Sequence, residues 1–270
     1  MAPIFRVLLP AALAGALLLP AAARAATPSF VKNGSVTLCS DPSYAPMEFF
    51  RKTGEKTPVG FDIDIAHDLA KAWGAKLRIV TMDFTGLLPG LAAHRCDFII
   101  SGIFVTPART KTFDAVPYLR SSMVILTRAG AAIHSPADLA GKVVGVQSGT
   151  QYEVRAKALS AALRKQGKKP LTIQSYPKET DVIEQLSTGR AAAVLTQDTE
   201  AAWRQTAQKG MFQVGYVYPP TDSFGIYFRK SVTDKAIITG QVKALRGQGL
   251  VKELAAKWKM PESDATAALK

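Results

Sequence analysis

Apolar and polar residues follow two periods along most of the chain. Short runs rich in β-branched and aromatic residues predict strands, and apolar residues spaced three or four apart predict helices. The expected strands are 36–40, 76–82, 97–101, 142–146, 171–176, 191–196 and 224–229. The expected helices are 62–73, 85–93, two short ones opening at Thr106 and Ser135, 151–166, 181–187, and a long helical tail over 233–259. This alternation predicts an α/β fold.

The first 25 residues differ from the rest. Arg6 precedes an apolar run over 7–22, and residues 23–25 are Ala-Arg-Ala, an A-x-A cleavage site. A membrane anchor needs about 20 uninterrupted apolar residues. This run is interrupted by Pro10, Gly15 and Pro20. We therefore expect 1–25 to be a cleavable signal peptide and the mature protein to be periplasmic.

Composition is that of a globular chain, with 270 residues of which 47% are hydrophobic and 20% charged. The formal net charge of +13 raises the question of nucleic acid. The basic residues, however, are scattered over predicted helix ends and faces, without interleaved aromatic residues as a stacking platform. We expect no nucleic-acid partner.

Two segments near the amino terminus carry a more specific signal. Residues 44–49, Tyr-Ala-Pro-Met-Glu-Phe, predict a strand end that breaks at Pro46, and residues 60–66, Gly-Phe-Asp-Ile-Asp-Ile-Ala, predict a glycine entry into an amphipathic helix. Together they resemble the polar amino-acid-binding proteins of ABC importers, solute-binding protein family 3. The resemblance extends from about Val36 to about Trp258.

The resemblance implies a two-lobed periplasmic-binding-protein fold of type II, in which two α/β sheets are joined by a two-strand hinge with a ligand cleft between them. It places 26–119 and 224–270 in lobe 1 and 120–223 in lobe 2. In this fold the strands carrying Cys39 and Cys96 are parallel neighbours. At ~3.3 Å per residue, their stagger strains the limit of about 7 Å between bridged Cα atoms, so we expect two buried thiols.

The resemblance also implies a carboxylate site. Arg109 ends the segment Ser-Gly-Ile-Phe-Val-Thr-Pro-Ala-Arg, similar to the family's S-G-x-x-I-T-x-x-R, whose Arg takes the ligand α-carboxylate. A guanidinium grips a carboxylate with two parallel bonds. Gly149-Thr150 resembles the family's G-T, and the helix that opens there offers N–H donors to an anion. The Thr150 hydroxyl serves equally as a plain helix cap, and both uses are left open.

The side-chain end of the ligand is expected to meet aromatic walls and acids. Tyr44 and Phe84 lie at strand ends where the family stacks ligand side chains. Asp41, Glu48 and Asp62 add negative charge near the same mouth, although Asp62 equally suits a helix N-cap. These acids favour a polar or cationic ligand side chain.

The family pattern breaks at the amino-group site. The family commonly places an Asp where this chain has Gln197, followed by Asp198. Either Asp198 takes over the role or the amine is bound differently. The Ser101 hydroxyl and the Gly102 carbonyl are further acceptors. Phe104 replaces a small or hydroxylated residue, although its backbone N–H remains available to a carboxylate.

Catalysis finds little support in the sequence. The three histidines are far apart, and no metal-ligand spacing occurs, so we expect no cofactor and no metal. The alternative function is that of the related cyclohexadienyl dehydratases, which have an acid two residues after the Thr, where this chain has Tyr152. A receptor's ligand-binding domain is less expected, because no transmembrane segment follows. The expected partners are a small amino acid or carboxylate and the membrane permease of an ABC transporter.

Overall fold

The computed structural model describes residues 26–219 and 222–269, and the expected signal peptide 1–25 lies outside them. In chain order, the strands of the described residues are β1 (Ser35–Ser40), β2 (Ser43–Tyr44), β3 (Glu48–Phe49), β4 (Lys76–Thr81), β5 (Phe98–Ile99), β6 (Phe113–Ser121), β7 (Met123–Arg128), β8 (Val143–Gln147), β9 (Thr172–Tyr176), β10 (Ala193–Gln197), β11 (Phe212–Val217) and β12 (Asp222–Arg229).

Helices cover the faces of the sheets. In chain order, the α-helices of the described residues are α1 (Phe61–Ala72), α2 (Leu87–Ala92), α3 (Pro107–Thr110), α4 (Gln151–Lys165), α5 (Glu179–Ser187), α6 (Asp198–Ala207), α7 (Val232–Gly247), α8 (Leu250–Lys257) and α9 (Glu262–Thr266). Short 3-10 helices cover Phe84–Gly86 and Pro136–Leu139. Within these residues, no helix combines the length and the hydrophobicity that crossing a membrane requires.

Two five-stranded sheets form the two lobes. The first lobe is built on the order β4-β1-β5-β12-β6, and the second on β11-β7-β10-β8-β9. Strand β1 pairs in parallel with β4 and β5, whereas β12 runs antiparallel to β5 and β6. The expected two-lobed α/β fold is confirmed. The carboxyl ends of β1 and β8 face the region between the sheets, where ligands bind in such folds.

The chain crosses between the sheets twice. It leaves the first sheet after Ser121, enters the second at Met123, and returns to the first through β12. Strands β6 and β12 pair over their whole lengths, from Asp222 opposite Ser121 to Arg229 opposite Phe113. The numerical lobe boundaries 26–119, 120–223 and 224–270 stay a prediction.

The glycine entry to α1 is required by close backbone packing. Gly60 has φ +141°, and a Cβ there would lie 2.1 Å from the carbonyl oxygen of Met47. The neighbouring N–H groups of Phe61 and Asp62 donate to the carbonyls of Pro46 and Met47 at 2.9 Å each. The two segments that carried the family resemblance are therefore fastened to each other through backbone hydrogen bonds.

Several elements differ from the sequence-based expectation. The tail expected as one helix over 233–259 is broken at Gly249, which adopts a left-handed conformation with φ +79° between α7 and α8. Strands β7 and β11 and helix α6 were not expected. Strand β7 is buried on nearly every residue, so it lacks the alternation of polar and apolar residues that identifies a half-exposed strand.

The expectation of two free thiols is wrong, because Cys39 and Cys96 form a disulfide with Cα atoms 5.6 Å apart. The strand itself starts at Phe98, and in the register Cys39 lies opposite Ile99. Cys96 belongs instead to the turn after α2, where the N–H of Arg95 donates to Gly90. This turn carries Cys96 over the sheet toward Cys39, so the stagger along straight strands does not apply.

Candidate functional site

A cavity between the lobes brings most of the expected site residues together. It has about 320 Å³ of empty space, part of it open to solvent. The expected residues that line it are Asp41, Tyr44, Glu48, Phe84, Ser101, Gly102, Phe104, Arg109 and Thr150. The residues that the sequence analysis did not single out are Gln147, Gln151 and Tyr152. Asp62, Gln197 and Asp198 lie outside this lining, and their placement is described below.

Arg109 comes from the first lobe and reaches the second. Its Nη1 donates to the carbonyl of Phe104 at 3.0 Å, and its Nη2 donates across the cleft to the carbonyl of Gly149 at 3.3 Å. The guanidinium carbon lies 5.6 Å from the ring centre of Phe84. Burial lowers the pKa of Arg109 from its ordinary value of 12.5, but an Arg side chain keeps its charge in proteins. The cavity therefore has a fixed cation on one wall.

Thr150 is the N-cap of α4 and lies on the second-lobe side of the same cavity as Arg109. Its hydroxyl donates to the carbonyl of Gln147 at 2.6 Å and accepts from the N–H of Glu153 at 3.4 Å. The Glu153 carboxylate in turn accepts from the N–H of Gly149 at 2.9 Å. The first N–H groups of a helix have no intrahelical partner and carry positive partial charge. Because Thr150 and Gln151 line the cavity, this helix start faces the same space as Arg109.

Gly102 lets Tyr44 approach the wall of the cavity. Gly102 has φ +51°, and a Cβ there would lie 2.7 Å from Cε1 of the Tyr44 ring. The Tyr44 hydroxyl lies 2.9 Å from the hydroxyl of Thr199, at the start of α6 in the second lobe. Tyr44 thus spans the cleft and closes one side of the cavity. Phe104 packs on Phe224 with ring centres 4.9 Å apart and meets the ring of Tyr152 edge-on at 6.5 Å.

Two buried carboxyl groups, one of them on the cavity lining, accept hydrogen bonds from Ser101 and Gly102. Asp62 accepts from the Gly102 N–H at 2.8 Å and from the Tyr118 hydroxyl at 2.6 Å. Glu48 accepts from the Ser101 hydroxyl at 2.9 Å. Burial raises the pKa of Asp62 to about 6, and burial together with the Asp62 charge raises the pKa of Glu48 well above its ordinary value. Burial and the mutual repulsion of two adjacent carboxylates therefore both favour a proton on this pair.

Gln197 and Asp198 face other parts of the second lobe and the hinge. The side-chain oxygen of Gln197 accepts from the Ser121 hydroxyl at 3.1 Å, and its side-chain nitrogen donates to the Tyr152 hydroxyl oxygen at 2.8 Å. Asp198 accepts from the Ser121 hydroxyl at 2.6 Å, from the Ser122 N–H at 2.9 Å and from its own neighbour's N–H at Thr199 at 2.9 Å. Asp198 therefore fastens the crossing between the lobes. A contact of either side chain with a ligand amine stays a prediction.

The three lining residues missed from the sequence share one signal. Gln147 is the last residue of β8, and Gln151 and Tyr152 are the first residues of α4. Strand ends and helix starts on the cleft side are the positions that line ligand sites in α/β folds. The same rule that selected Thr150 would have included them. Among the described residues, no group of three or more His, Cys, Asp or Glu side chains is arranged to hold a metal ion.

The family model and the relatives with similar sequences are all described as solute-binding or amino-acid-binding proteins. Residues 36–261 match the family of bacterial extracellular solute-binding proteins, family 3. The chain is 29% identical over 227 residues to the arginine-binding extracellular protein ArtP of Bacillus subtilis, covering 80% of this chain and 82% of that protein. It is 31% identical over 183 residues to the histidine-binding periplasmic protein of Salmonella typhimurium, covering 67% of this chain and 65% of that protein.

The solved structures with a similar fold are also described as amino-acid-binding proteins. An ancestral arginine-binding protein bound to arginine superposes with a TM-score of 0.74 at 28% identity, covering 83% of this chain and 98% of that one. The ancestral amino-acid-binding protein AncCDT-1, described as a precursor of cyclohexadienyl dehydratase, gives a TM-score of 0.72 at 29% identity, covering 84% and 95%. These relatives are named for binding, not for catalysis. The chain belongs to the bacterial extracellular solute-binding proteins of family 3.

Proposed function

We propose that this protein is an extracytoplasmic receptor that binds a small amino acid or a closely related carboxylate and delivers it to the permease of an ABC transporter. One observation carries the proposal. The guanidinium of Arg109 and the start of helix α4 at Thr150 approach the same cavity from opposite lobes. Both are groups that bind carboxylates.

The chemistry of the two groups is complementary. Arg109 supplies charge and two parallel donors, and α4 supplies backbone N–H groups already oriented by the helix. Ordering costs little on binding, because Thr150 is fixed by its bond to Gln147. The relatives are named for arginine and histidine, two amino acids that share an α-carboxylate. This shared group is what the two lobes of the present protein are proposed to hold.

Contacts with both lobes would couple ligand binding to closure of the cleft. A ligand shifts a conformational equilibrium only by its different affinity for the two states. A carboxylate that contacts both Arg109 and Thr150 is bound fully only when the lobes are together, so it favours the closed form. We place the protein in the periplasm, exported by the signal peptide over residues 1–25, where a closed and loaded receptor meets the permease.

The test starts from the protein purified without added amino acids. Mass spectrometry of small molecules released by denaturation identifies any ligand that co-purifies. Thermal unfolding of the ligand-free protein is then followed with each of the twenty amino acids and with simple carboxylates. A ligand at a hundred times its Kd adds about 2.7 kcal/mol to the free energy of unfolding.

We expect one or a few small carboxylates to raise the unfolding temperature. Absence of any shift across the panel overturns the proposal. Sustained conversion of arogenate or prephenate at enzyme concentrations far below substrate also overturns it, in favour of a dehydratase. Stoichiometric binding without product supports the receptor.

A further inference from the structure

Asp41 is a buried acid on the cavity lining that bonds to residues of the other lobe. It follows β1 directly, and only 1% of its surface is exposed. Its Oδ1 accepts from Nζ of Lys178 at 2.7 Å. Its Oδ2 accepts from the side-chain amide of Gln147 at 2.8 Å and from the hydroxyl of Ser43 at 3.2 Å. Both carboxylate oxygens are therefore engaged by the protein itself.

Lys178 brings the positive charge from the other lobe. It lies after β9 and caps the start of α5, so its ammonium crosses the cleft to reach Asp41. Nζ also lies 2.7 Å from Oδ1 of Asp83. Burial lowers the pKa of Lys178, but its bonds to Asp41 and Asp83 outweigh this and raise the pKa above its ordinary value of 10.5. Lys178 is thus a cation at neutral pH and balances the charge of Asp41.

The other acid on the cavity lining is disfavoured as a free anion. Glu48 accepts from Ser101 through Oε1, and burial followed by the charge of Asp62 raises the pKa of Glu48 well above its ordinary value. The charge left uncompensated on the lining is the cation of Arg109. A ligand with a cationic side chain would enter this space without a counter-ion, and a buried charge without a partner is costly.

We propose that Lys178 is a built-in counter-ion for Asp41 that excludes cationic side chains, so that the ligand is a small carboxylate whose side chain is neutral or acidic. This inference rests on the proposed function and narrows its ligand class. It separates the protein from the relatives named for arginine and histidine, and it reverses the cationic preference that the three acids suggested from sequence. Because Lys178 already forms an ion pair with Asp41, the Asp41 carboxylate is not available to pair with a cationic ligand side chain.

Ligand pairs of matched size test the charge alone. L-Arginine is compared with L-citrulline, and L-2,4-diaminobutyrate with L-homoserine, by calorimetry on the ligand-free protein. We expect the wild type to bind the neutral member of each pair at least about tenfold more tightly. In Lys178→Met, which frees Asp41 to pair with a ligand cation, we expect this preference to shift by about tenfold or more toward the cationic member.

Three further variants isolate the role of Lys178. Lys178→Arg keeps a cation in place and should retain the wild-type preference. Lys178→Gln is a second neutral variant, used in case the Met side chain disturbs closure. Lys252→Met removes a lysine from an exposed ion pair with Glu262 and should change nothing. Binding of any neutral ligand shows that a variant is folded.

The outcomes separate this inference from the proposed function. Wild-type protein that binds arginine or diaminobutyrate as tightly as the neutral partner overturns the inference and leaves the receptor standing. The inference is also overturned if Lys178→Met and Lys178→Gln are both folded and neither shifts the affinity ratio toward the cationic ligand. Wild-type protein that binds no amino acid and no carboxylate overturns the proposed function itself.

Discussion

The side-chain amide of Gln197 donates a hydrogen bond of 2.8 Å to the hydroxyl oxygen of Tyr152. Both side chains are buried, and Tyr152 forms part of the cavity wall. The position where the family resemblance led us to expect an Asp is therefore occupied by a neutral amide that is hydrogen-bonded to a phenol. No carboxylate at position 197 is present to balance a ligand ammonium.

This arrangement predicts a weak requirement for an α-amine. We expect Gln197→Asp to increase the ratio of affinities for an amino acid over its deaminated analogue by about tenfold, because a carboxylate supplies the missing counter-charge. Asp198→Asn should leave that ratio unchanged, since Asp198 is directed toward Ser121 and Ser122. Calorimetry with the identified ligand and its analogue measures both ratios. Loss of amino-acid binding in Asp198→Asn alone would assign the ammonium to Asp198.

Arg109→Ala should weaken binding of the ligand by one to two decades. A hydrogen bond to a charged group contributes about 1.5–3 kcal/mol, which corresponds to that change in Kd. Arg109→Lys should recover part of the loss, because a lysine keeps the charge without the two parallel donors. Arg155→Ala is the matched control, since Arg155 stacks on Tyr218 with its guanidinium carbon 4.9 Å from the ring centre and does not line the cavity. An affinity of Arg109→Ala within about twofold of wild type removes Arg109 from the site.

Removal of the disulfide should destabilise the first lobe. Cys39 and Cys96 are separated by 57 positions, and a cross-link of this span restricts the unfolded chain. We expect the Cys39→Ala/Cys96→Ala variant to lose about 2–5 kcal/mol of unfolding free energy in urea titrations. Adding a reductant should lower the stability of the wild type but not that of the variant. Two reactive thiols in the unfolded, unreduced protein would contradict the bridge.

Asp264 should make stability depend on pH. Burial, and to a smaller extent the nearby charge of Asp198, raises the pKa of Asp264 from 3.8 to about 8. Between these values the folded protein keeps a proton that the unfolded chain releases, so this group's contribution to stability falls as pH rises from about 4 to about 8. Asp264→Asn cannot ionise, and its advantage over wild type should grow across that range.

Denaturation at pH 5, 7 and 9 checks this expectation for Asp264. Glu262→Gln removes an exposed acid from the same helix and serves as the control, because its partner Lys252 is also exposed. A difference between Asp264→Asn and wild type that is constant with pH would show that Asp264 ionises normally in the folded state.

Local sequence determined the parts of the protein that depend on neighbouring residues. The alternation of strand and helix patterns predicted the α/β fold, which the structure confirms, because backbone geometry imposes those periods within each element. The glycine at position 60, the cap at Thr150 and the segment ending in Arg109 are also local signals. Residues at strand ends and helix starts could therefore be assigned to a cleft before any tertiary contact was known.

Tertiary structure decided the contacts between residues that are distant along the chain. Lys178 reaches Asp41 across 137 positions, and the turn after α2 brings Cys96 to Cys39. Neither contact follows from a period or a motif, because each depends on how two separately formed elements pack. Asp198 illustrates the same limit, since only the packing of β10 against the lobe crossing turns its carboxylate toward Ser121. The sequence by itself indicated that strand ends and helix starts surround the cleft, and packing determined which side chains line it and which of their charges are paired within the protein.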